Sequence, residues 1–183
     1  MISQTEIFAF PCINYITAII YERAKNMFTY HSRSKRILDF LSRGNPNAVA
    51  HICGMQDYPS ICGTMMLYQT NTGVFAVLSV GGLPRELGCG NILAAHIHDP
   101  LTGKHYNPTN APHPMHAGDM PPLFADGTDA WSAFMTRRFK VCDVIGMDVV
   151  IHARRDDFTT QPSGDAGDKI AFGEIKAFSE VCR

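Results

Sequence analysis

Beyond residue 47 the chain alternates short apolar, β-branched runs with clusters of turn-forming residues. AVAHIC at 48–53, TMMLYQ at 64–69, VFAVLSV at 74–80, ILAAHIH at 92–98, AWSAFMT at 130–136, DVVIHA at 148–153 and KIAFGEIKAF at 169–178 read as strands. QTNTG, GGLP and QPSGDAGD carry the glycines, prolines and small polar residues that punctuate them. KVCDVIG at 140–146 reads as a strand edge or as a helical turn. Several short strands with no convincing helix between most of them predict an all-β domain of antiparallel strands, a Greek-key β-barrel or sandwich. No internal repeat or low-complexity run is visible.

The first 45 residues follow a different pattern. IFAFPCINYITAII is apolar, but Glu6 precedes it without a positive flank, and Pro11 and Asn14 interrupt it. That makes a poor signal peptide and a segment too short to span a bilayer comfortably. A cytoplasmic location is expected, with an extracytoplasmic one as the alternative. In KRILDFLSRG, Ile37, Leu38 and Leu41 fall at helical spacing before Gly44 and predict a short amphipathic helix. Met27 is a candidate start. The expected organisation is an N-terminal extension at 1–45, one β domain at 46–177 and a tail at 178–183.

Composition narrows the function classes. With 183 residues, 45% hydrophobic content and a formal charge of −1, the chain can bury a sizeable core and offers no basic field for nucleic acid. Arg33, Lys35, Arg36 and Arg43 read as a solvated helix face. The six cysteines form no CxxC pair, so reduced, mostly structural thiols are expected; Cys53 and Cys62 pairing across a hairpin is the alternative.

Histidine placement changes the picture most. Six of the eight histidines, His96, His98, His105, His113, His116 and His152, fall with Asp119 in two short stretches. A lone histidine is more often a hydrogen-bonded structural residue than a ligand, but six with a carboxylate are not explained that way. His96 and His98 stand at i and i+2, which on a strand puts both imidazoles on one face about 6.5 to 7 Å apart along the chain. In KHYNPTNAPHPMHAGD, Pro108, Pro112 and Pro114 exclude regular structure, so the segment reads as an ordered loop. His105, His113, His116 and Asp119 would complete a tetrahedral zinc shell of three nitrogens and one oxygen. Alternation in MDVVIHARRDDF sets Val150 and His152 on one face. His96, His98, His105 and His152 then form a four-nitrogen set that suits copper. His105 stands where the two groups meet, and its two ring nitrogens make it the candidate bridge. A zinc-only hydrolase would need a nearby acid-base that has no clear position here.

These residues resemble the copper/zinc superoxide dismutases. HIH, the following HYNP, HAGD, VVIHARRDD and PSGDAGDKIAFGEI occur in family order over about residues 46 to 177. FTTQPSG and the short loops are most similar to the Gram-positive bacterial variant. The resemblance implies copper and zinc as cofactors, superoxide as substrate and His105 as bridging ligand and proton donor. It implies that Asp156 accepts hydrogen bonds from a ligand of each metal, and that Ser163 stands at the channel mouth. It also allows a homodimer. Two positions depart from the family pattern. Lys169 stands where an arginine usually guides the anion, and a lysine keeps the charge but loses the planar fork. The loop after the HxH pair is only DPLTGK, and Phe172 occupies the strand position, so the family's usual disulfide between that loop and the last strand is absent. These departures motivate an alternative, a dismutase-like metal-binding protein with little turnover.

Overall fold

The computed structural model describes residues 44–87 and 91–178. The chain divides into two units at Asn45 and Pro46, and the second unit carries all the described elements. The short helix expected before Gly44 and the apolar segment near the start lie outside the described residues.

Nine antiparallel strands make up the second unit: β1 (Ala48–Gly54), β2 (Cys62–Thr70), β3 (Gly73–Gly81), β4 (Ile92–Leu93), β5 (Ala95–His98), β6 (Leu123–Asp126), β7 (Asp129–Thr136), β8 (Asp148–His152) and β9 (Lys169–Ala177). Their spatial order is β4-β6-β7-β3-β2-β1-β9-β8-β5. The two edge strands, β4 and β5, are separated in sequence by Ala94 alone. One ribbon therefore supplies both ends of the sheet and brings them together, which curls the sheet into a nearly closed barrel. The all-β Greek-key expectation holds.

The single strand expected at 92–98 is two strands. The ribbon pairs with β6 through Leu93↔Leu123 and then with β8 through His96↔Val150. At the exchange, Ala94 N–H donates to the Arg154 carbonyl at 2.8 Å, and the Ala94 carbonyl accepts from His152 N–H at 2.9 Å. β6, absent from the expected strands, pairs with β7 across a two-residue turn, Gly127–Thr128, with Gly127 at φ 67°. Glycine at the first central position is what a type II′ hairpin turn prefers. KVCDVIG resolves as a 3₁₀ turn over Val141–Val144.

Alternation decides which face each residue occupies. Ala48, Ala50 and Ile52 of β1, Met65 and Leu67 of β2, Val74, Ala76, Leu78 and Val80 of β3, and Val149 and Ile151 of β8 fill the interior. Ile97 points inward with them, so His96 and His98 point out of the barrel. Both are nevertheless buried, because loops cover that outer face. Cys53 and Cys142 are free thiols on the surface rather than in the core, and Cys53 lies opposite Cys62 in the β1–β2 ladder. Among the described residues no helix is long and apolar enough to cross a membrane.

Candidate metal centre

Three pieces of chain meet on the outer face of β5 and β8. β5 supplies His96 and His98, and β8 ends at His152. A tight turn then returns the chain: Asp99 N–H donates to the Lys104 carbonyl at 2.9 Å and Gly103 N–H to the Asp99 carbonyl at 2.8 Å. Gly103 has φ 68°, a conformation that glycine adopts without steric cost. The turn sets His105 opposite His98, and the loop beyond it sets Asp119 opposite His96, each as an isolated bridge.

The seven side chains sort into two groups with buried members and converging donor atoms. One comprises His105, His113, His116 and Asp119, the other His96, His98 and His152; within each, one ligand atom per residue lies within 4.8 Å of the others. In the first group, Nδ1 of His105, His113 and His116 stands 2.7, 3.2 and 3.4 Å from the Asp119 carboxylate oxygens. His116 Nδ1 is 3.3 Å from His105 Nδ1. A tetrahedral shell with arms of about 2.0 to 2.1 Å has edges near 3.4 Å, so the donor set fits zinc. His113 Nδ1 is near Asp119 Oδ2 but out of hydrogen-bond alignment and has no partner.

His105, a member of the first group, also borders the second. Its ring centroid is 4.0 Å from that of His96 and 4.8 Å from that of His98, yet only 5.4 Å from that of His116. Nδ1 is engaged with Asp119, and Nε2 is buried without a partner. His96 Nδ1 is a third such orphan. Buried polar nitrogens without partners are costly and rare, and a cation at each focus would satisfy all three.

Hydrogen bonds at the far side of each ring select the nitrogen that faces inward. His98 Nδ1–H donates to the Gly103 carbonyl at 2.9 Å and His152 Nδ1–H to the Gly167 carbonyl at 3.0 Å, which leaves their Nε2 atoms 3.3 Å apart. Asp156 accepts from His96 Nε2–H at 2.9 Å on Oδ2 and from His113 Nε2–H at 2.8 Å on Oδ1. It also accepts from Phe158 N–H at 2.7 Å on Oδ1. One buried carboxylate thus orients a ring from each group.

Burial favours the neutral form of His96, His98 and His152. Burial, joined by the neighbouring imidazoles His105 and His152, lowers His96 to about 2. Burial lowers His98 to about 3 against the pull of its Gly103 bond, and lowers His152 as well. Burial alone would raise Asp119, but the His105 hydrogen bond and the surrounding imidazoles carry it below the usual carboxylate value. Neutral imidazole and ionised carboxylate are the forms that bind metal. Lys169, exposed at the start of β9, pairs with His152 in the ladder, and its charge further depresses His98 and His152. Ser163 is half-buried in the preceding loop and Phe172 is exposed opposite Val150.

Some side chains at the site escape sequence reasoning. Gln161 hydrogen-bonds both backbone groups of His113. Arg138 Nη1 donates toward the carbonyls of Pro114, His116 and Asp119 at 3.0, 3.2 and 3.3 Å, spanning the loop that holds two of the clustered residues. Gly164 packs where a Cβ would strike Asp156 Oδ1. Each looks like an ordinary loop residue in the sequence.

Comparison with known proteins is consistent across three kinds of match. Copper/zinc superoxide dismutase 2 of Aquifex aeolicus (strain VF5) is 32% identical over 140 residues, covering 63% of this chain and 80% of that one. Its copper/zinc superoxide dismutase 1 is 33% identical over 138 residues, covering 62% and 79%. A crystal structure of a double mutant of a SOD-like protein from Bacillus subtilis superposes with a TM-score of 0.58 at 23% identity, covering 70% of this chain and 97% of that one, a likeness of fold. The family model for copper/zinc superoxide dismutase (SODC) matches residues 61–175. With that match spanning the barrel from β2 into β9 and both histidine groups, the chain belongs to the copper/zinc superoxide dismutase family.

Proposed function

We propose that the protein converts two superoxide anions and two protons into one dioxygen and one hydrogen peroxide, with His96, His98, His105 and His152 holding copper and His105, His113, His116 and Asp119 holding zinc. Bound copper, alternating between its divalent and monovalent states, would accept one electron and return one, which zinc cannot do. The observation that carries the reading is the two-sided state of His105: Nδ1 engaged toward Asp119, and Nε2 buried without a partner beside His96 and His98.

The protein's own groups would then have distinct tasks. His105 Nε2 would carry a proton when free and pass it to the reduced product, while Nδ1 would keep the ring anchored toward Asp119. Asp156 keeps the Nε2 protons of His96 and His113 outward, so that their Nδ1 lone pairs face in. Lys169 supplies positive charge at the edge of the copper group and draws the anion in; superoxide dismutase is itself a standard example of such steering and of a diffusion-limited enzyme. The activity belongs to residues 46–177, with 1–45 as an extension and 178–183 as a tail, and we assign it to the cytoplasm.

A second reading, a dismutase-like protein that holds metal with little turnover, is favoured by Lys169 in place of arginine and Phe172 in place of cysteine. Superoxide removal measured against copper and zinc content, for the native protein and His105→Ala, separates the two. The dismutase reading expects turnover that tracks copper, and loss of zinc-site order and most turnover together in the variant. Copper uptake without superoxide removal selects the metal-holding reading. Electron paramagnetic resonance of the copper-loaded protein should show a copper(II) centre with nitrogen ligands; zinc in both sites would sink both.

A further inference from the structure

Gln161 lies in the loop between β8 and β9, and its amide lies along the backbone of His113, 48 positions earlier in the chain. Oε1 accepts from His113 N–H at 2.9 Å, and Nε2 donates to the His113 carbonyl at 2.7 Å. Two antiparallel bonds to one residue fix its orientation as well as its position. The ring of the same residue is held by Asp156 at 2.8 Å. Gly164, at φ 71°, closes against that contact: a Cβ there would collide with Asp156 Oδ1 and come within 2.8 Å of His113 Nε2. The loop also bonds to itself, Asp157 N–H to the Gly164 carbonyl at 2.9 Å and Gly164 N–H to the Thr160 carbonyl at 2.8 Å. Residues 156–164 therefore grip His113 by its ring and by both backbone groups, and the same stretch of chain continues through Ser163 to Lys169.

We infer that Gln161 is a positioning residue: its two bonds to the His113 backbone are the link through which filling of the cluster around His113 is passed to residues 157–168. The inference rests on the metal assignment proposed above. Its logic is linkage. The amide bonds form only when both loops are in place, so a metal that orders His113 lowers the cost of ordering the Gln161 loop, and the ordered loop raises metal affinity by the same factor. Asp156 cannot carry this coupling alone, because it constrains the ring and leaves the backbone of a proline-broken loop free to shift.

Hydrogen exchange by mass spectrometry on the full chain, zinc-free and zinc-loaded, tests it. In the native protein zinc should slow exchange across 157–168 by about tenfold or more. In Gln161→Met, which keeps the length of the side chain and removes both bonds, the zinc effect on this loop should fall below about threefold, with β8 and β9 unchanged. Zinc affinity by chelator competition should drop by about 5- to 150-fold. Gln161→Glu, which keeps the acceptor and loses the donor, should fall between, and it replaces the methionine variant if that one does not fold. A merely structural residue would shift exchange equally in both metal states; an undiminished zinc effect in the variants overturns the inference and leaves the metal assignment standing. Failure of the native protein to take up zinc at this cluster removes both.

Discussion

Replacing Asp156 by asparagine should weaken copper binding far more than zinc binding. Oδ1 receives two donors, His113 Nε2–H at 2.8 Å and Phe158 N–H at 2.7 Å, whereas Oδ2 receives His96 Nε2–H alone at 2.9 Å. An asparagine would keep its carbonyl on the two-donor side and turn its NH₂ toward His96. That sets donor against donor, and His96 can answer only by moving its proton from Nε2 to Nδ1, the buried atom with no partner. The inward-facing lone pair is then lost. Loss of such an orienting partner typically lowers metal affinity by about 10- to 100-fold, about 1.4 to 2.8 kcal/mol. The metal-free fold should also lose about 1.5 to 3 kcal/mol, the value of a hydrogen bond to a charged group. Chelator competition run separately for each metal, with urea unfolding of the metal-free protein, measures all three. Equal losses for copper and zinc, or a loss confined to zinc, would refute the tautomer argument.

Three further outcomes are expected. Gly164→Ala should cost about 3 to 5 kcal/mol in urea unfolding, combining the left-handed backbone with displacement of Asp156, while Gly103→Ala, with φ 68° and open space around it, should cost only about 1 to 2; equal costs would show that Asp156 is not displaced. Metal-stripped protein should be most stable above about pH 6.5, because His96, His98 and His152 bind protons more weakly folded than unfolded. As pH falls through 6.5 toward about 3 for His98 and about 2 for His96, the unfolded chain takes up more protons and stability drops, by up to about 1.4 kcal/mol per pH unit for each; a flat urea midpoint between pH 7.5 and 5 would contradict this. Lys169→Gln should lower kcat/KM for superoxide by about tenfold and flatten its decline with ionic strength, and Lys169→Arg should raise it; rates that ignore both changes would remove Lys169 from steering.

What the chain discloses in advance depends on whether a feature is local. His96 and His98 at i and i+2 are readable because strand alternation alone sets their common face, and the barrel class follows from the spacing of strands and turns. The cut at Ala94 is not readable: the apolar run is continuous, and only the exchange of neighbours from β6 to β8 divides it. β6 is four residues long, and the glycine turn after it, Gly127-Thr128, is its one clear local signal. Asp156, beside Arg154 and Arg155, has the appearance of a surface acid and yet is buried between two rings. Gln161 gives no signal at all, since a polar residue before a proline looks like any solvated side chain and its bonds to His113 span 48 positions.

The ribbon at 92–98 makes this stretch intolerant of changes in length. It seals the barrel at one end and presents His96 and His98 at the other, with Ala94 as the only spacer. One residue inserted between Leu93 and His96 would turn both imidazoles into the apolar interior and expel Ile97 from it, while leaving the seam with β8 out of step. The same insertion between Asn107 and Ala111 would cost the two bonds between the Asn107 amide and the Ala111 backbone but leave every strand register unchanged. Among sequence variants of this protein, length changes should therefore accumulate in the loop and be purged from the ribbon.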